Sequence, residues 1–419
     1  MRRHNGIYSP LVTLWLLVGQ RLRGGAPLES AVLDLLRGLP ASFWPRPCKR
    51  MRDWQELGKL PSSHTGAYNQ ARQALPLSIV QKSCDRIFEE LLVQCGEDDP
   101  KGKARTFLLD GSTMRTAHSP ALCNSYPPGS NQYREGHWPL LLVLVAHDIH
   151  SGMALRPEWG PMYGAARVSE QTLLERAIQR LPSGATVLAD CNFGVFSVAY
   201  AAHQRQHPVL LRLTTGRAQR LAGEPLRHRM NRRVIWRPSP SDRRSHPELP
   251  KDACVSGRLV VRRVQPDNHG KPFLLALFTT RELKEKEMLA LYGQRWKIET
   301  DLRTLKSTLR LDQLTCGTPD RVAKEIDMGI AAYNLVRAVT CLAAEQSGIP
   351  PRGYSFTRVR RIVQTFTPLV AAASDSQQAK MVFDQMMHCV QQAKLPRRRR
   401  RAYPRQVWNR GDRYPKRQI

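Results

Sequence analysis

From Tyr292 the chain reads Tyr-Gly-Gln-Arg-Trp-Lys-Ile-Glu-Thr-Asp-Leu-Arg-Thr-Leu-Lys, ending at Lys306. On a helix turning about 100° per residue, Tyr292, Arg295, Glu299 and Lys306 project within roughly 60° of one another. Leu291, Ile298, Leu302, Leu305 and Leu309 form a separate apolar stripe, so one face can pack while its neighbour stays polar. The polar face carries an aromatic hydroxyl, a fixed cation, a carboxylate and an ammonium, a set suited to a metal ion and the phosphates around it. A plainer reading of the same face stands beside this one, because Arg295 and Glu299 form an i,i+4 pair that can simply solvate a helix.

Further carboxylates stand where a sheet could deliver them to this helix. Asp110 follows the apolar Phe107-Leu-Leu109, and Asp190 follows Val187-Leu-Ala189, each at the expected end of a strand. Carboxylates from two strands and one helix can hold two divalent cations about 4 Å apart, the arrangement that drives in-line phosphoryl displacement. Hard oxygen ligands of this kind select Mg2+, with Mn2+ as a substitute. Each aspartate taken alone is equally a turn former after a strand. His147 and His150 have the spacing of a metal pair, but they end an apolar run and lead into Ser151-Gly152, which reads as a hairpin turn.

The elements that must position these groups follow from periodicity. Residues 11–22, 31–36 and 77–93 repeat at helical spacing, and no strand run appears before residue 100. Ser62-Ser-His-Thr65 offers caps for a short helix over residues 67–72, which could bring Gln70 and Arg72 to DNA. Residues 96–100 read as a linker. A mixed α/β pattern follows, with strands over 106–109, 138–146, 153–157, 186–189 and 209–213 and helices over 170–181 and 197–206. From residue 214 to about 267 the helical pattern stops, and β-type pieces over 232–237 and 258–264 mark an insertion. An apolar strand over 273–279, a capping box over Thr279–Glu282 and helices through Lys306 and over 321–345 complete the pattern.

Composition narrows the partners. The 419 residues include 65 Lys and Arg against 35 Asp and Glu, a formal charge of +30 that favours a polyanion, with nucleic acid the leading one. No uninterrupted apolar run reaches the roughly 18 residues needed to span a bilayer, and residues 11–18 read as a buried helix. Nine cysteines without a C-x-x-C pair argue against a disulfide framework or a zinc knuckle and fit a reducing cytoplasm. Ten of the last 23 residues are Arg or Lys, a tail without periodicity.

The order Tyr-x2-Arg-x3-Glu-x6-Lys at Tyr292, Arg295, Glu299 and Lys306 resembles the signature of the bacterial insertion-sequence DDE transposases, which have a ribonuclease H-like catalytic domain. Leu-Leu-Asp110-Gly-Ser-Thr resembles that family's first-aspartate strand. Leu-Ala-Asp190-Cys-Asn-Phe-Gly-Val-Phe resembles its second block, although the family often has Arg directly after the aspartate. The resemblance spans about residues 60 to 345 and implies an α/β fold: a ribonuclease H-like mixed sheet with a β-rich insertion. An all-α N-terminal DNA-binding domain precedes it and a basic tail follows. The expected boundaries are 1–100 for the N-terminal domain, 101–213 and 271–350 for the two parts of the catalytic domain, and 214–270 for the insertion. A helical region suited to dimerisation takes 351–394, and the tail takes 395–419.

The resemblance also implies roles. Asp110, Asp190 and Glu299 would be catalytic and would bind two Mg2+ ions, while Tyr292, Arg295 and Lys306 would contact phosphates of double-stranded DNA. Trp296 beside them would either stack on an extruded base or pack under the metal site. The implied activity is cut-and-paste transposition, with end cleavage and strand transfer by a homodimer that binds terminal inverted repeats and target DNA. The implied setting is the nucleoid of a bacterial cytoplasm. Two other classes share the composition: an inactive or domesticated copy acting only as a basic DNA-binding protein, and a nuclease of the same fold without strand transfer.

Overall fold

The chain is described here by a computed structural model covering residues 6–95, 105–130, 135–265 and 272–396. The linker read at 96–100 and the basic tail from residue 397 lie outside the described residues. Helices α1 (Pro10–Leu22), α2 (Leu28–Leu36), α3 (Lys49–Leu57), α4 (Gly66–Ala74) and α5 (Leu77–Gln94) come first, with a 3-10 turn at Ala41–Phe43. Ser9 caps α1 by accepting from the Val12 amide, with Pro10 opening the helix. Val12, Leu16, Ala31, Val32, Leu35, Met51 and Tyr68 form a small core of their own. α5 instead reaches the main core through Val80 and Cys84. Arg72 of α4 is turned inward, with its guanidinium over the Tyr68 ring and against Cys316, whereas Gln70 is exposed.

The sheet follows: β1 (Thr106–Arg115), α6 (Pro120–Ser125), β2 (Pro128–Ser130), β3 (Glu135–Asp148), β4 (Glu158–Pro161), α7 (Glu170–Ile178), β5 (Thr186–Ala189), α8 (Phe196–Gln204) and β6 (Val209–Leu213). Then come α9 (Thr215–Ala222), β7 (Arg229–Trp236), α10 (Pro240–Ser245), β8 (Val255–Val264) and β9 (Phe273–Thr279). The strand order is β2-β3-β1-β5-β6-β9-β8-β7, with β4 on β3. β1, β5 and β6 are mutually parallel and the other pairs antiparallel, so the sheet is mixed. The residues expected to form the inserted region supply β7 and β8, which extend the sheet through β9, and they also carry α9 and α10, where no helix was expected.

After the sheet come α11 (Glu285–Gly293), α12 (Lys297–Arg303), α13 (Pro319–Ser347), α14 (Phe356–Ala371) and α15 (Ser376–Gln391). α13 is long and apolar enough to cross a membrane, but most of that window is buried inside the molecule, which makes it the central core helix. The charged residues that interrupt its apolar pattern, Lys324, Glu325, Asp327 and Arg337, are themselves buried.

The structure corrects other readings. The strand expected over residues 153–157 shrinks to a single antiparallel bridge, Ala154 with His147, in which Met153 O and Leu155 N bond β3 while the Asn334 side chain takes the two Ala154 backbone groups on the other side (Ala154 N to Oδ1 and Nδ2 to Ala154 O, both 2.8 Å). β4 begins only at Glu158. The capping box expected at Thr279 is absent. Thr279 is buried and donates its hydroxyl to Val209 O at 2.7 Å, while α11 starts later, where Glu287 accepts from the Lys284 amide at 3.0 Å. All nine cysteines are free thiols.

Candidate active site

β1 and β5 run parallel with Phe107 beside Val187 and Leu108 beside Leu188. β5 stops at Ala189 while β1 continues to Arg115, so Asp110 lies within its strand and not at the strand end where sequence had put it. Continuing the register sets Asp110 and Asp190 side by side where β1 loses its β5 neighbour. Side chains alternate across a strand, so Asp110 and Asp190 share the face of Leu108 and Leu188, which pack with Ile298, Leu302 and Leu305 of the α12 segment. The region beyond the carboxyl ends of parallel strands is the usual ligand position in an open α/β sheet.

The two aspartates are held by backbone amides. Asp110 Oδ1 accepts from Gly111 N at 2.9 Å and Asp190 Oδ1 from Asn192 N at 2.8 Å. Burial, with the negative Asp190 and Glu170 adding to it, pushes the Asp110 carboxyl up to about 6 against the opposing pull of the Gly111 amide and Arg295.

The helical segment over these strands is not one straight helix. A 3-10 turn at Gln294–Trp296 joins α11 to α12, and a π-helical turn at Thr304–Thr308 follows. Over- and underwinding of this kind break the even 100° phasing assumed from sequence, and π turns recur at functional positions. Ile298, Leu302, Leu305 and Leu309 are buried as the stripe predicts. Tyr292 is buried too, with its hydroxyl unpartnered among the described residues. Burial raises its pKa, Arg295 and Arg212 oppose that shift, and Asp190 adds to it. Arg295 donates to Glu299 Oε1 at 3.3 Å, and its guanidinium lies 5.0 Å from the Trp296 ring centroid. Trp296 is 65% exposed, so its ring does not pack beneath the site. Lys306 Nζ donates to Ser112 Oγ at 3.1 Å, reaching β1 two residues beyond Asp110.

Asp110 and Tyr292 therefore each feel Asp190 and Arg295 directly, Glu299 joins through Arg295, and Lys306 closes onto the same strand. Among the described residues no three His, Cys, Asp or Glu side chains stand close enough to share a metal ion. Glu299 is held by Arg295 with its side chain 42% exposed. The donor set nevertheless suits a hard divalent cation, since the neighbouring Asp190 raises the cost of ionising Asp110 and a cation between such groups relieves it.

Sequence missed several contributors. Glu170, at the first turn of α7, reads as an ordinary helix-start acid, and nothing local singles it out. Arg212 acts on Tyr292 and stacks over Phe273; its signal was a lone cation in the apolar strand β6. Asp301 is wholly buried on α12, accepting from Arg337 at 2.7 Å, Arg352 at 2.8 and 3.0 Å and Tyr333 at 3.3 Å. It ties the Glu299 helix to α13. His147 is buried beside Asp301 with its pKa pushed down to about 4 by burial, and the turn after it matches the hairpin reading.

The profile of the family described as Transposase DDE domain matches residues 101–335, more than half of the chain. The chain is also 26% identical over 411 residues to the transposase InsG for insertion sequence element IS4 of Escherichia coli (strain K12), covering 96% of this chain and 86% of that protein. The matched span takes in both strand aspartates, Glu299 and Lys306, and that family makes nucleic-acid-cleaving enzymes whose partner is DNA. With its paired strand acids under a helix that carries a third, the chain belongs to the DDE-domain transposases.

Proposed function

We propose that the chain is an insertion-sequence transposase with a ribonuclease H-like catalytic domain. It binds the terminal inverted repeats of its element, cuts at the ends and transfers the strands to target DNA. Asp110, Asp190 and Glu299 are the catalytic acids and would hold two Mg2+ ions, with Mn2+ as a substitute. Bound there, the cations supply Lewis-acid activation of the attacking oxygen and offset charge on the leaving one. The observation that carries this reading is Asp110 in register with Asp190 at the open edge of β1, overhung by the segment bearing Arg295, Glu299 and Lys306.

The side chains suggest how DNA engages. A backbone phosphate competes with Glu299 for the Arg295 guanidinium, and losing that partner frees Glu299 to turn to the aspartates. Lys306 exchanges Ser112 for a second phosphate oxygen, and the unpartnered Tyr292 hydroxyl gains an acceptor. The exposed Trp296 ring stacks on an extruded base near the cut. The N-terminal helices bind the end sequence, and two protomers each bring one end; the setting is a bacterial cytoplasm at the nucleoid.

The test is a supercoiled donor bearing the element's terminal repeats, incubated with protein and Mg2+. Excised element together with joined product is the expected result. Cleaved donor without joining would make the protein a nuclease, and metal-independent binding without cleavage would make it a DNA-binding protein only.

A further inference from the structure

α12 covers Asp110 and Asp190 from one face of the sheet, and a different device approaches from the other. Leu173, Leu174, Ala177 and Ile178 seat α7 on the face of Phe107, Leu109, Val187 and Ala189. Ser169 caps that helix by accepting from the Thr172 amide at 3.1 Å, which puts Glu170 and Gln171 in its first turn. Glu170 reaches across to the loop after β5, and its Oε2 accepts from the Asn192 side-chain amide. Gln171 Nε2 donates to Asn192 O at 3.0 Å and Oδ1 at 3.3 Å, and Arg217 donates to Cys191 O at 3.0 Å. The Asn192 backbone N–H in turn donates to Asp190 Oδ1 at 2.8 Å.

Gly111 belongs to the same arrangement. A Cβ built on it would overlap the other Glu170 oxygen, Oε1, so a larger residue after Asp110 would push the Glu170 carboxylate out of that space. Glu170 is thus pressed against the strand of one aspartate while it grips the loop of the other.

We propose, on the basis of the transposase reading above, that Glu170 and Asn192 are positioning residues for Asp190. Glu170 acts as a hydrogen-bond acceptor that fixes Asn192, and Asn192 commits one Asp190 oxygen to the loop, leaving Oδ2 for the reaction. Outer partners of this kind set the orientation of a ligating carboxylate, and their loss typically lowers metal affinity or activity about 10- to 100-fold. The role needs an acceptor at Glu170 and does not need its charge.

The experiment uses the full chain and two readouts: Mn2+ binding followed by electron paramagnetic resonance without DNA, and Mg2+-dependent cleavage of a donor carrying the element's ends. Glu170→Ala and Asn192→Ala should each weaken Mn2+ binding and raise the Mg2+ needed for half-maximal cleavage by about 10- to 100-fold. The double variant should be no worse than the poorer single one, because both break one chain of contacts. Glu170→Gln keeps the acceptor and should behave like wild type, while Gly111→Ala, which displaces Glu170, should resemble Glu170→Ala. Melting temperatures and binding of element ends should stay unchanged. Wild-type metal binding in Glu170→Ala and Asn192→Ala would overturn the proposal. So would failure of Glu170→Gln to the same degree as Glu170→Ala, which would make Glu170 a ligand. If the wild-type protein did not cleave at all, the transposase reading would fall, while the Mn2+ arm would still decide the positioning role.

Discussion

Asp301 and Asp110 are both drawn into the protein around the same helix, yet their surroundings are opposite. Asp301 meets two guanidinium groups and a tyrosine hydroxyl, and despite its burial Arg337, His147 and Arg352 hold its carboxyl below the usual range. Asp110 meets Asp190 and Glu170, with Arg295 as its nearby cation, and is pushed up to about 6. The first region has more cation than acid and fixes a helix; the second has more acid than cation and suits an incoming positive charge. Asp327 of α13 is a third case: wholly buried, with neither oxygen hydrogen-bonded among the described residues, beside Asp85 and Glu158, which Arg156 and Arg180 already engage. Burial first, with those acids adding, raises it to about 7. Pairing thus separates a carboxylate that fixes a helix from the one proposed to act in the reaction, and neutrality lets an unpaired one stay inside.

Substitutions at these carboxylates and their partners test the contrast. The largest effect is expected for Glu299→Gln or Asp110→Asn, which should lower end cleavage by at least about 10³-fold while end binding persists, since several kcal/mol of transition-state charge stabilisation are lost. Normal cleavage by either variant in a Mg2+ assay would remove the acids from the chemistry. Next comes Asp301→Ala, which leaves Arg337 buried without its anion and should cost about 3 to 5 kcal/mol in denaturant unfolding. A loss below about 1 kcal/mol would mean that the pair is not what holds α12.

For Asp327 the sign follows from its raised pKa. The native state binds a proton that the unfolded chain releases near the ordinary aspartate value of 3.8, so stability falls as pH rises from about 4 to about 7. Asp327→Asn should flatten that slope and stabilise the protein above pH 7, by at most about 4 kcal/mol at 1.36 kcal/mol per unit. Parallel pH–stability curves for the two proteins would contradict the assignment. The smallest effect on stability belongs to Arg295→Ala, whose partly exposed pair with Glu299 is worth at most about 1 kcal/mol. The same variant should weaken binding of element ends at low salt, and unaltered binding in a salt titration would take Arg295 away from the DNA.

Sequence alone determined what local pattern can encode. The strands Thr186–Ala189, Val209–Leu213 and Phe273–Thr279 fall where short apolar runs end at turn-forming residues, and the stripe from Ile298 to Leu309 is buried as its spacing requires. The types and order of Asp110, Asp190, Tyr292, Arg295, Glu299 and Lys306 were legible because each sits in a recognisable strand or helix context. Tertiary structure decided the remainder. It shortened the strand expected over residues 153–157 to a single bridge at Ala154, moved the start of α11, and brought Glu170 to Asn192 and Asp301 to Arg352, pairs separated by 22 and 51 residues. Periodicity reports only which face of an element is apolar, whereas these partners are chosen by how the elements pack, and no window of adjacent residues contains that information.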